Sequence, residues 1–394
     1  MLKEIALRDL RMGMFVHRLG GRWFDHPFLR KSFKLTNAAD LEKLLKSAVP
    51  DLVIDTDKGL DVESRPRAEP TPVAAPVAVS RAAETRITFD QEIERARAIQ
   101  AKARVAVINM FGEARMGRAI NVSGVAPLVD EISSSLERNA GALLSVVRLK
   151  TADDYTYMHS VAVCGLMIAL GRRMGLEDEE LRIAGLGGLL HDVGKIAMPV
   201  EVLNKPGKLT DEEYSTMKRH PLEGWQILRN SSIASEIPLD ICLHHHERVD
   251  GGGYPEKISG DALTLYARMG AVCDVYDAIT SDRPYKSGWA PAESIKRMAE
   301  WRVGQFDETV FQAFVKTVGI YPVGSVVRLN SGRVGVVTDQ AEANLLQPRV
   351  KVFFSLKSRE PVKAEVVDLA RTHDAIAGLE DAKAWQENVR RILG

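Results

Sequence analysis

The sequence predicts a mainly α-helical protein, with a small α+β domain in front of a helical core and a small β appendage behind it. From about residue 120 to residue 320, apolar residues recur at helical spacing. Before this region, strand-like runs such as Leu52–Asp55 combine with a short helical stretch at about 37–46. After Tyr321, apolar and polar residues alternate around Asn330-Ser331-Gly332, which is a hairpin signal.

Changes in composition divide the chain into six predicted segments. One segment is rich in Pro and Ala, which is typical of an extended linker. A later run, about Asp90 to Met116, has apolar positions spaced to pack against a partner helix in the same chain; homodimerisation or signal relay is the alternative. The segments are an α+β domain at 1–60, a linker at 61–86, a helical connector at 87–150, a helical domain at 151–320, a β appendage at 321–370 and a helical tail at 371–394.

Composition and charge exclude several classes of protein. The 53 Lys and Arg residues are balanced by 53 Asp and Glu residues, so we expect no surface for long nucleic acid. No apolar run approaches the roughly 20 residues that span a bilayer, and the N-terminus lacks a signal peptide's pattern. The three cysteines Cys164, Cys242 and Cys273 form no CxxC pair. We expect buried free thiols and a cytoplasmic protein.

Potential metal ligands cluster in the helical region. The pair His191-Asp192 follows two leucines, so we expect it to point inward, although such a pair alone is more typical of a hydrogen-bonded core histidine. Asp274 lies among apolar residues, where an unpaired carboxylate is costly. His220 is expected to close the helix that begins with a capping box at Thr210. Six of the nine histidines fall in this part of the chain: His159, His191, His220, His244, His245 and His246.

These side chains predict a centre with two metal ions. Imidazole and carboxylate are ligands for Fe, Mn, Zn, Ni or Co rather than for a thiolate-bound structural zinc. Adjacent helical residues point about 100° apart, so His245 and His246 can serve two neighbouring ions. A pair of ions about 3.5–4 Å apart suits phosphoester hydrolysis. Asp192 is the best candidate for the shared ligand. The donors are His159, His191, Asp192, His220, His245, His246 and Asp274.

Six motifs between about residues 150 and 320 resemble the HD-GYP family, a branch of the HD metal-dependent phosphohydrolases. That resemblance implies an HD-type helical bundle for the core. The first 60 residues resemble a small domain of unassigned function that often precedes HD-GYP domains, through Leu10–Met14 and Phe33–Leu35. The HD-GYP motifs are Tyr157–Ser160, His191–Lys195, Lys205–Thr210, Lys218–Pro221, His245–Pro255 and Asp274–Lys286.

The resemblance implies a role for each matching residue. The same seven donors correspond to the family's metal ligands, and His244 has no ligand role. Members with three metals have a Glu where this chain has Tyr155, so we predict two divalent ions, with iron or manganese favoured over nickel, zinc or cobalt. Asp192 and Lys195 are the predicted catalytic residues. The predicted substrate contacts are Lys195, Gly253, Tyr254, Arg283 and Lys286.

The activity implied by the resemblance is hydrolysis of cyclic di-GMP to pGpG, GMP or both. The family also implies diguanylate cyclases of the GGDEF type as partners for the Gly-Tyr-Pro loop. Two alternatives stay open: a catalytically weak cyclic di-GMP receptor or cyclase-interacting module, and a phosphodiesterase for another cyclic dinucleotide. A substrate panel on metal-loaded protein separates these alternatives.

Overall fold

The computed structural model divides the chain into two compact units, residues 1–79 and 80–394. Each unit is described here by itself. The linker predicted at 61–86 lies outside the described residues, and so does the helix predicted at about 37–46, apart from Leu41. The structure describes residues 2–6, 9–19, 33–35, 41, 51–60, 87–148, 155–231, 233, 235–282, 288–341 and 344–393.

The first unit contains an antiparallel sheet with the strand order β1-β4-β2-β3. Its strands are β1 (Leu2–Ala6), β2 (Phe15–Leu19), β3 (Phe33–Lys34) and β4 (Asp51–Asp55). The apolar side chains of these strands and of the adjoining turns form a small core. Its members are Ile5, Leu10, Met14, Val16, Leu35, Leu52 and Ile54. Among the described residues, the sheet is therefore the part of the predicted α+β domain that the structure shows.

The second unit is mainly helical, as predicted. Among its described residues, α1 and α2 form an antiparallel pair, and the helices from α3 onward build the core around the histidine-rich segments. The helices are α1 (Phe89–Arg115), α2 (Val122–Arg148), α3 (Tyr155–Met174), α4 (Asp178–Leu190), α5 (Val200–Leu203), α6 (Asp211–Met217), α7 (His220–Arg229), α8 (Glu236–His244), α9 (Leu265–Thr280), α10 (Pro291–Gln305), α11 (Glu308–Val318) and α12 (Gln386–Leu393).

The long helix α1 packs along α2 within the same unit. Its apolar face, including Ile93, Ala103 and Val107, is buried in the larger hydrophobic core. The buried carboxylate of Glu92 accepts a hydrogen bond from Arg138 of α2 at 2.7 Å, so its charge is paired. Packing within the chain thus accounts for the apolar spacing of α1, and homodimerisation stays a prediction.

A close crossing brings the segment after α4 against the start of α7. Gly194 lies in a 3₁₀ turn at Val193–Ala197, and a Cβ atom there would lie 1.9 Å from the carbonyl oxygen of His220. Only glycine permits this approach. The prediction that His220 closes the helix from Thr210 is wrong, because that helix ends at Met217 and His220 begins α7. Pro221 explains the difference, since proline is compatible with a helix's first turn but not with its interior.

The β appendage is a five-stranded antiparallel sheet with the order β8-β7-β6-β5-β9. The predicted hairpin is formed by β5 and β6. The predicted helical tail contains a strand, β9, which pairs with β5, and only α12 is helical there. Edge strands such as β8 and β9 bury few side chains, so their sequences lack the runs of buried apolar residues seen in β5–β7. The strands are β5 (Val326–Leu329), β6 (Arg333–Asp339), β7 (Arg349–Ser355), β8 (Glu360–Asp368) and β9 (Ile376–Leu379).

Two further expectations from the sequence concern the cysteines and the absence of membrane-spanning helices. The cysteines Cys164, Cys242 and Cys273 are buried and free, as predicted. None of the described helices is long and apolar enough to cross a membrane.

Candidate metal centre

The ends and faces of five helices bring the seven predicted donors together. His159 projects from the first half of α3, and Asp274 from the middle of α9. His191 and Asp192 follow the last residue of α4. His220 is the first residue of α7, and His245 and His246 directly follow α8. The cluster is buried except at His246, whose side chain is 23% exposed and marks the side that opens to solvent.

Backbone carbonyl oxygens orient three of the imidazole rings. A carbonyl oxygen only accepts a hydrogen bond, so Nδ1 of each ring must carry the proton. The Nε2 lone pair of each neutral ring therefore faces the centre of the cluster. The distances from Nδ1 to the carbonyl oxygen are 2.7 Å for His191 and Gly188, 2.8 Å for His220 and Met217, and 2.9 Å for His245 and Cys242.

The carboxylate of Asp192 lies between two groups of histidines. Its Oδ1 is 3.3 Å from Nε2 of His220 and 3.8 Å from Nε2 of His245. Its Oδ2 is 3.4 Å from Nε2 of both His159 and His191. Oδ1 is buried and accepts no hydrogen bond from any described residue. The side chain of Asp192 can therefore offer one oxygen to each group.

The electrostatics of the cluster favour the forms that bind cations. Burial opposes ionisation of Asp192, but Lys195 and the neighbouring imidazoles outweigh it and hold the pKa of Asp192 well below its ordinary value. Asp274 has a pKa well below its ordinary value because His159 and His246 outweigh its burial. Burial lowers the pKa of His220 to about 3 and that of His246 to about 4. At neutral pH these groups are charged carboxylates and neutral imidazoles, which are ligand forms.

We predicted no role for Asp277 from the sequence, but its carboxylate forms a hydrogen bond with His159. Oδ2 of Asp277 lies 2.6 Å from Nδ1 of His159, whereas Oδ1 of Asp274 lies 2.9 Å from Nε2 of the same ring. Burial disfavours the charged ring, but the hydrogen bonds with both carboxylates outweigh it and raise the pKa of His159. The spacing of three residues places both aspartates on one face of α9. That spacing was the available signal.

Two of the predicted substrate contacts border the cluster. The Nζ atom of Lys195 lies 2.5 Å from Oδ2 of Asp192, and the lysine side chain is 21% exposed. The ring of Tyr254 stacks on His246, with centroids 4.8 Å apart and an interplanar angle of 28°. Burial raises the pKa of the Tyr254 phenol, which therefore stays neutral. Lys195 and Tyr254 thus lie beside the cluster, and their role as substrate contacts stays a prediction.

The loop that carries Tyr254 is fixed by Glu247. The buried Oε1 atom of Glu247 accepts hydrogen bonds from the backbone N–H groups of Glu256 at 2.7 Å and Lys257 at 2.8 Å. Gly253 packs so closely on this segment that a Cβ atom would lie 2.5 Å from Cα of Glu247. The two contacts hold the loop against the end of α8, beside the histidines.

Three further residues singled out in the sequence are His244, Arg283 and Lys286. Arg283 and Lys286 lie outside the described residues. His244 pairs instead with Asp240 at 2.7 Å and with Glu256 at 3.2 Å.

Comparison with known proteins agrees with these observations. The chain matches the sequence profile of the HD domain over residues 138–310 and that of a domain of unknown function (DUF3391) over residues 2–125. It is 54% identical to the cyclic di-GMP phosphodiesterase PA4108 of Pseudomonas aeruginosa over 391 residues, which is 98% of this chain and 94% of that protein.

Other relatives match a smaller part of this chain. The cyclic di-GMP phosphodiesterase response regulator RpfG of Xanthomonas campestris is 43% identical over 39% of this chain and 40% of its own length. The 3'3'-cGAMP-specific phosphodiesterase 1 of Vibrio cholerae is 34% identical over 44% of this chain and 41% of its own length. This chain matches one relative over nearly its whole length, and its helices bring the histidines and aspartates of the HD motifs together. The chain therefore belongs to the HD-GYP family of HD-domain proteins and carries a DUF3391 domain in front.

Proposed function

We propose that this chain is a metal-dependent phosphodiesterase that hydrolyses cyclic di-GMP to pGpG, GMP or both. The observation that carries the proposal is the position of Asp192, whose two carboxylate oxygens each face a different pair of histidines. The relative that is 54% identical over 98% of this chain is a cyclic di-GMP phosphodiesterase, which supports this substrate.

The residues of the cluster fit a pair of divalent ions. The Nε2 atoms of His159 and His191 are 3.3 Å apart, and so are those of His220 and His245. His220 and His245 carry their protons on Nδ1, so the lone pairs of their Nε2 atoms repel at that distance unless a cation binds both. A cation would also satisfy the buried Oδ1 of Asp192.

The seven donors divide naturally between two ions. His159, His191 and Asp192 would hold one ion, with Asp274 beside them, and His220, His245 and His246 would hold the other. His245 and His246 would thus bind the same ion, not two neighbouring ions as expected from the sequence. Asp192 would be shared. Nitrogen and carboxylate donors suit iron or manganese, with nickel, zinc or cobalt as alternatives. We propose two ions rather than three because the sequence has Tyr155 at the position where family members with three metals have a Glu. When bound, such ions activate a water and stabilise charge on the phosphoryl oxygens.

The chain's own residues would bind and orient the substrate. The Lys195 ammonium is close enough to Asp192 to donate to a phosphate oxygen beside the ions and to offset its charge. Tyr254 offers a ring face and a neutral hydroxyl at the open side of the cluster. Gly253 allows the loop to take this position. Arg283 and Lys286 are proposed to contact phosphate or guanine, because a guanidinium matches both phosphate oxygens and the O6/N7 edge of guanine.

A second candidate function is hydrolysis of another cyclic dinucleotide. The observation that favours it is the 34% identity with a 3'3'-cGAMP-specific phosphodiesterase over 44% of this chain. The two substrates differ in one base, so the contacts that choose between them must lie at that base. A third candidate is a receptor or GGDEF-interacting module with negligible turnover, in which the Gly-Tyr-Pro loop serves as the contact surface.

One experiment separates these candidates. The full chain is purified without oxygen, loaded with Fe²⁺ or Mn²⁺, and incubated with cyclic di-GMP, 3'3'-cGAMP and cyclic di-AMP, and the digests are resolved by chromatography. We expect cyclic di-GMP to be cleaved fastest, with pGpG or GMP as product. Faster cleavage of 3'3'-cGAMP would favour the second candidate. Binding of cyclic di-GMP by metal-loaded protein without cleavage would favour a receptor.

A further inference from the structure

A large cleft lies between part of the helical core and the β appendage. It has a volume of about 950 Å³, within the range of roughly 300–1,000 Å³ that small-molecule sites occupy. Its walls come from α2, α3, the ends of α9 and α11, and the segments on both sides of β7 in the sheet. None of the seven donors, Lys195 or Tyr254 is among the described residues that line it.

Part of the helical wall of the cleft is apolar. Leu136, Leu144 and Val147 contribute from α2, and Leu166 and Ala169 from α3. Leu144 and Ala169 are only partly buried by the protein, so apolar surface of the wall remains accessible from the cleft. Such a surface suits the apolar body of an organic ligand rather than a hydrated ion.

Cationic side chains outnumber acidic ones at the rim of the cleft, although the chain as a whole has no net charge. The acidic residues of the lining are already engaged: Arg349 lies 3.2 Å from both Asp339 and Asp368, and Asp277 contacts His159. The lining contains six cationic side chains, Arg138, Arg172, Arg173, Lys316, Arg349 and Arg371, and three acidic ones, Asp277, Asp339 and Asp368.

Two of the rim cations are available to a ligand. Arg173 lies in the last turn of α3 and Lys316 in the last turn of α11, and both are exposed. Neither makes an ion pair or a side-chain hydrogen bond with any residue in the described part of the chain. An anionic ligand between the apolar wall and the rim would therefore gain charge-assisted hydrogen bonds without breaking existing ion pairs.

We propose that this cleft is a binding site for an amphipathic organic anion, with an apolar body against α2 and α3 and a phosphate, sulfonate or carboxylate at Arg173 and Lys316. The site is separate from the cluster of histidines but adjacent to it. Asp277 belongs to both, since it lines the cleft and orients His159.

The test uses two fluorescent probes that differ by one charged group. The anion 8-anilinonaphthalene-1-sulfonate has the proposed chemistry, and N-phenyl-1-naphthylamine has the same rings without the sulfonate. Titrated with the full chain, the anion should bind at a single saturable site, about tenfold more tightly than the neutral probe, because one charge-assisted contact is gained. Binding of both probes with equal affinity, or binding of the anion at many weak sites, would overturn the proposal.

Variants locate the site. Lys316→Glu should weaken binding of the anion about tenfold and leave the neutral probe unaffected. Lys363→Glu makes the same change at an exposed position on β8 outside the cleft and should alter neither affinity. Arg173→Gln gives a second, milder test of the rim. Ala169→Trp should fill the apolar wall and weaken both probes, with circular dichroism confirming the fold of each variant.

The following results with the variants would overturn parts of the proposal. Unchanged affinity for the anion in both Lys316→Glu and Arg173→Gln would overturn the rim assignment. Unchanged binding in a folded Ala169→Trp variant would place the probes elsewhere and overturn the site. Competition then distinguishes the sources of the ligand: displacement of the anion by dodecanoate indicates an acyl chain, and displacement by GMP indicates a nucleotide.

Discussion

Oδ2 of Asp277 lies 2.6 Å from Nδ1 of His159, on the side of the ring that faces away from the cluster. This contact fixes the ring so that Nε2 points to Asp192 and Asp274. Carboxylates in this position orient a ligating histidine and increase its basicity. Asp277 is therefore a positioning residue in the proposed centre.

Replacing Asp277 by Asn should weaken metal binding and leave the fold intact. The substitution keeps the shape of the side chain but removes the charge that orients His159. We expect a loss of about 10- to 100-fold in metal affinity, the usual effect of such partners, measured by competition with a chelator. Asp261→Asn is the control, since Asp261 is fully exposed on the surface. Equal metal affinity in the two variants would mean that Asp277 does not support a ligand.

Replacing Asp192 by Asn should abolish both metal binding and turnover. Its oxygens face both groups of histidines, so the substitution removes the shared ligand and its charge. The loss of activity should exceed the ~100-fold typical of residues that merely support a ligand. Elemental analysis and chromatography of a cyclic di-GMP digest measure the two effects. A variant with full activity would place the active site elsewhere.

Gly253→Ala should impair substrate binding more than metal binding. The added Cβ atom would lie 2.5 Å from Cα of Glu247, so the loop that carries Tyr254 would have to move. We expect KM for cyclic di-GMP to rise while metal content stays unchanged. Gly112→Ala is the matched control, because a Cβ atom there meets nothing within 4 Å. That control should be stabilised by up to about 1 kcal/mol, since alanine favours the helix. Equal KM values in the two variants would contradict the proposed role of the loop.

The chelated protein should lose stability as the pH falls from about 6.5 to about 4. Burial lowers the pKa of His220 to about 3 and that of His246 to about 4, whereas both protonate near 6.5 in an unfolded chain. In this interval the unfolded chain binds more protons, so each of the two histidines lowers the free energy of unfolding by up to about 1.4 kcal/mol per pH unit. His159, with its raised pKa, changes stability only above about 6.5, where its contribution is lost as the pH rises.

Urea unfolding in EDTA at several pH values measures this dependence. The variant His246→Gln should show a shallower slope than the wild type between pH 6.5 and 4.5, because one of the contributing groups is absent. A free energy of unfolding that does not vary over this interval would contradict the lowered pKa values.

Functional residues that lie in recognisable motifs could be predicted from the sequence, whereas contacts between segments that are distant in the chain could not. The motifs singled out all seven donors, and the structure brings their side chains together, although their role as ligands stays a prediction. Asp277 was not assigned a role, because its partner His159 is 118 residues away and its three-residue spacing from Asp274 does not by itself identify a hydrogen-bond partner. The start of α7 at His220 follows from Pro221, whereas the close crossing at Gly194 depends on a distant segment and has no local pattern.

The edge strands show the same limit in the appendage. The central strands β5 and β6 were predicted as a hairpin, and their apolar side chains are buried on both faces of the sheet. Strand β8 has mostly exposed side chains, and β9 is four residues long and depends on backbone pairing with β5. Backbone pairing leaves little trace in side-chain composition.

The central claim is that Asp192 is shared by two metal ions within this cluster. The most direct test is anomalous diffraction from crystals of the full chain loaded with Fe²⁺ or Mn²⁺. The account predicts two peaks about 3.5–4 Å apart, one beside each oxygen of Asp192. A single peak, a third peak, or metal bound away from Asp192 would contradict it.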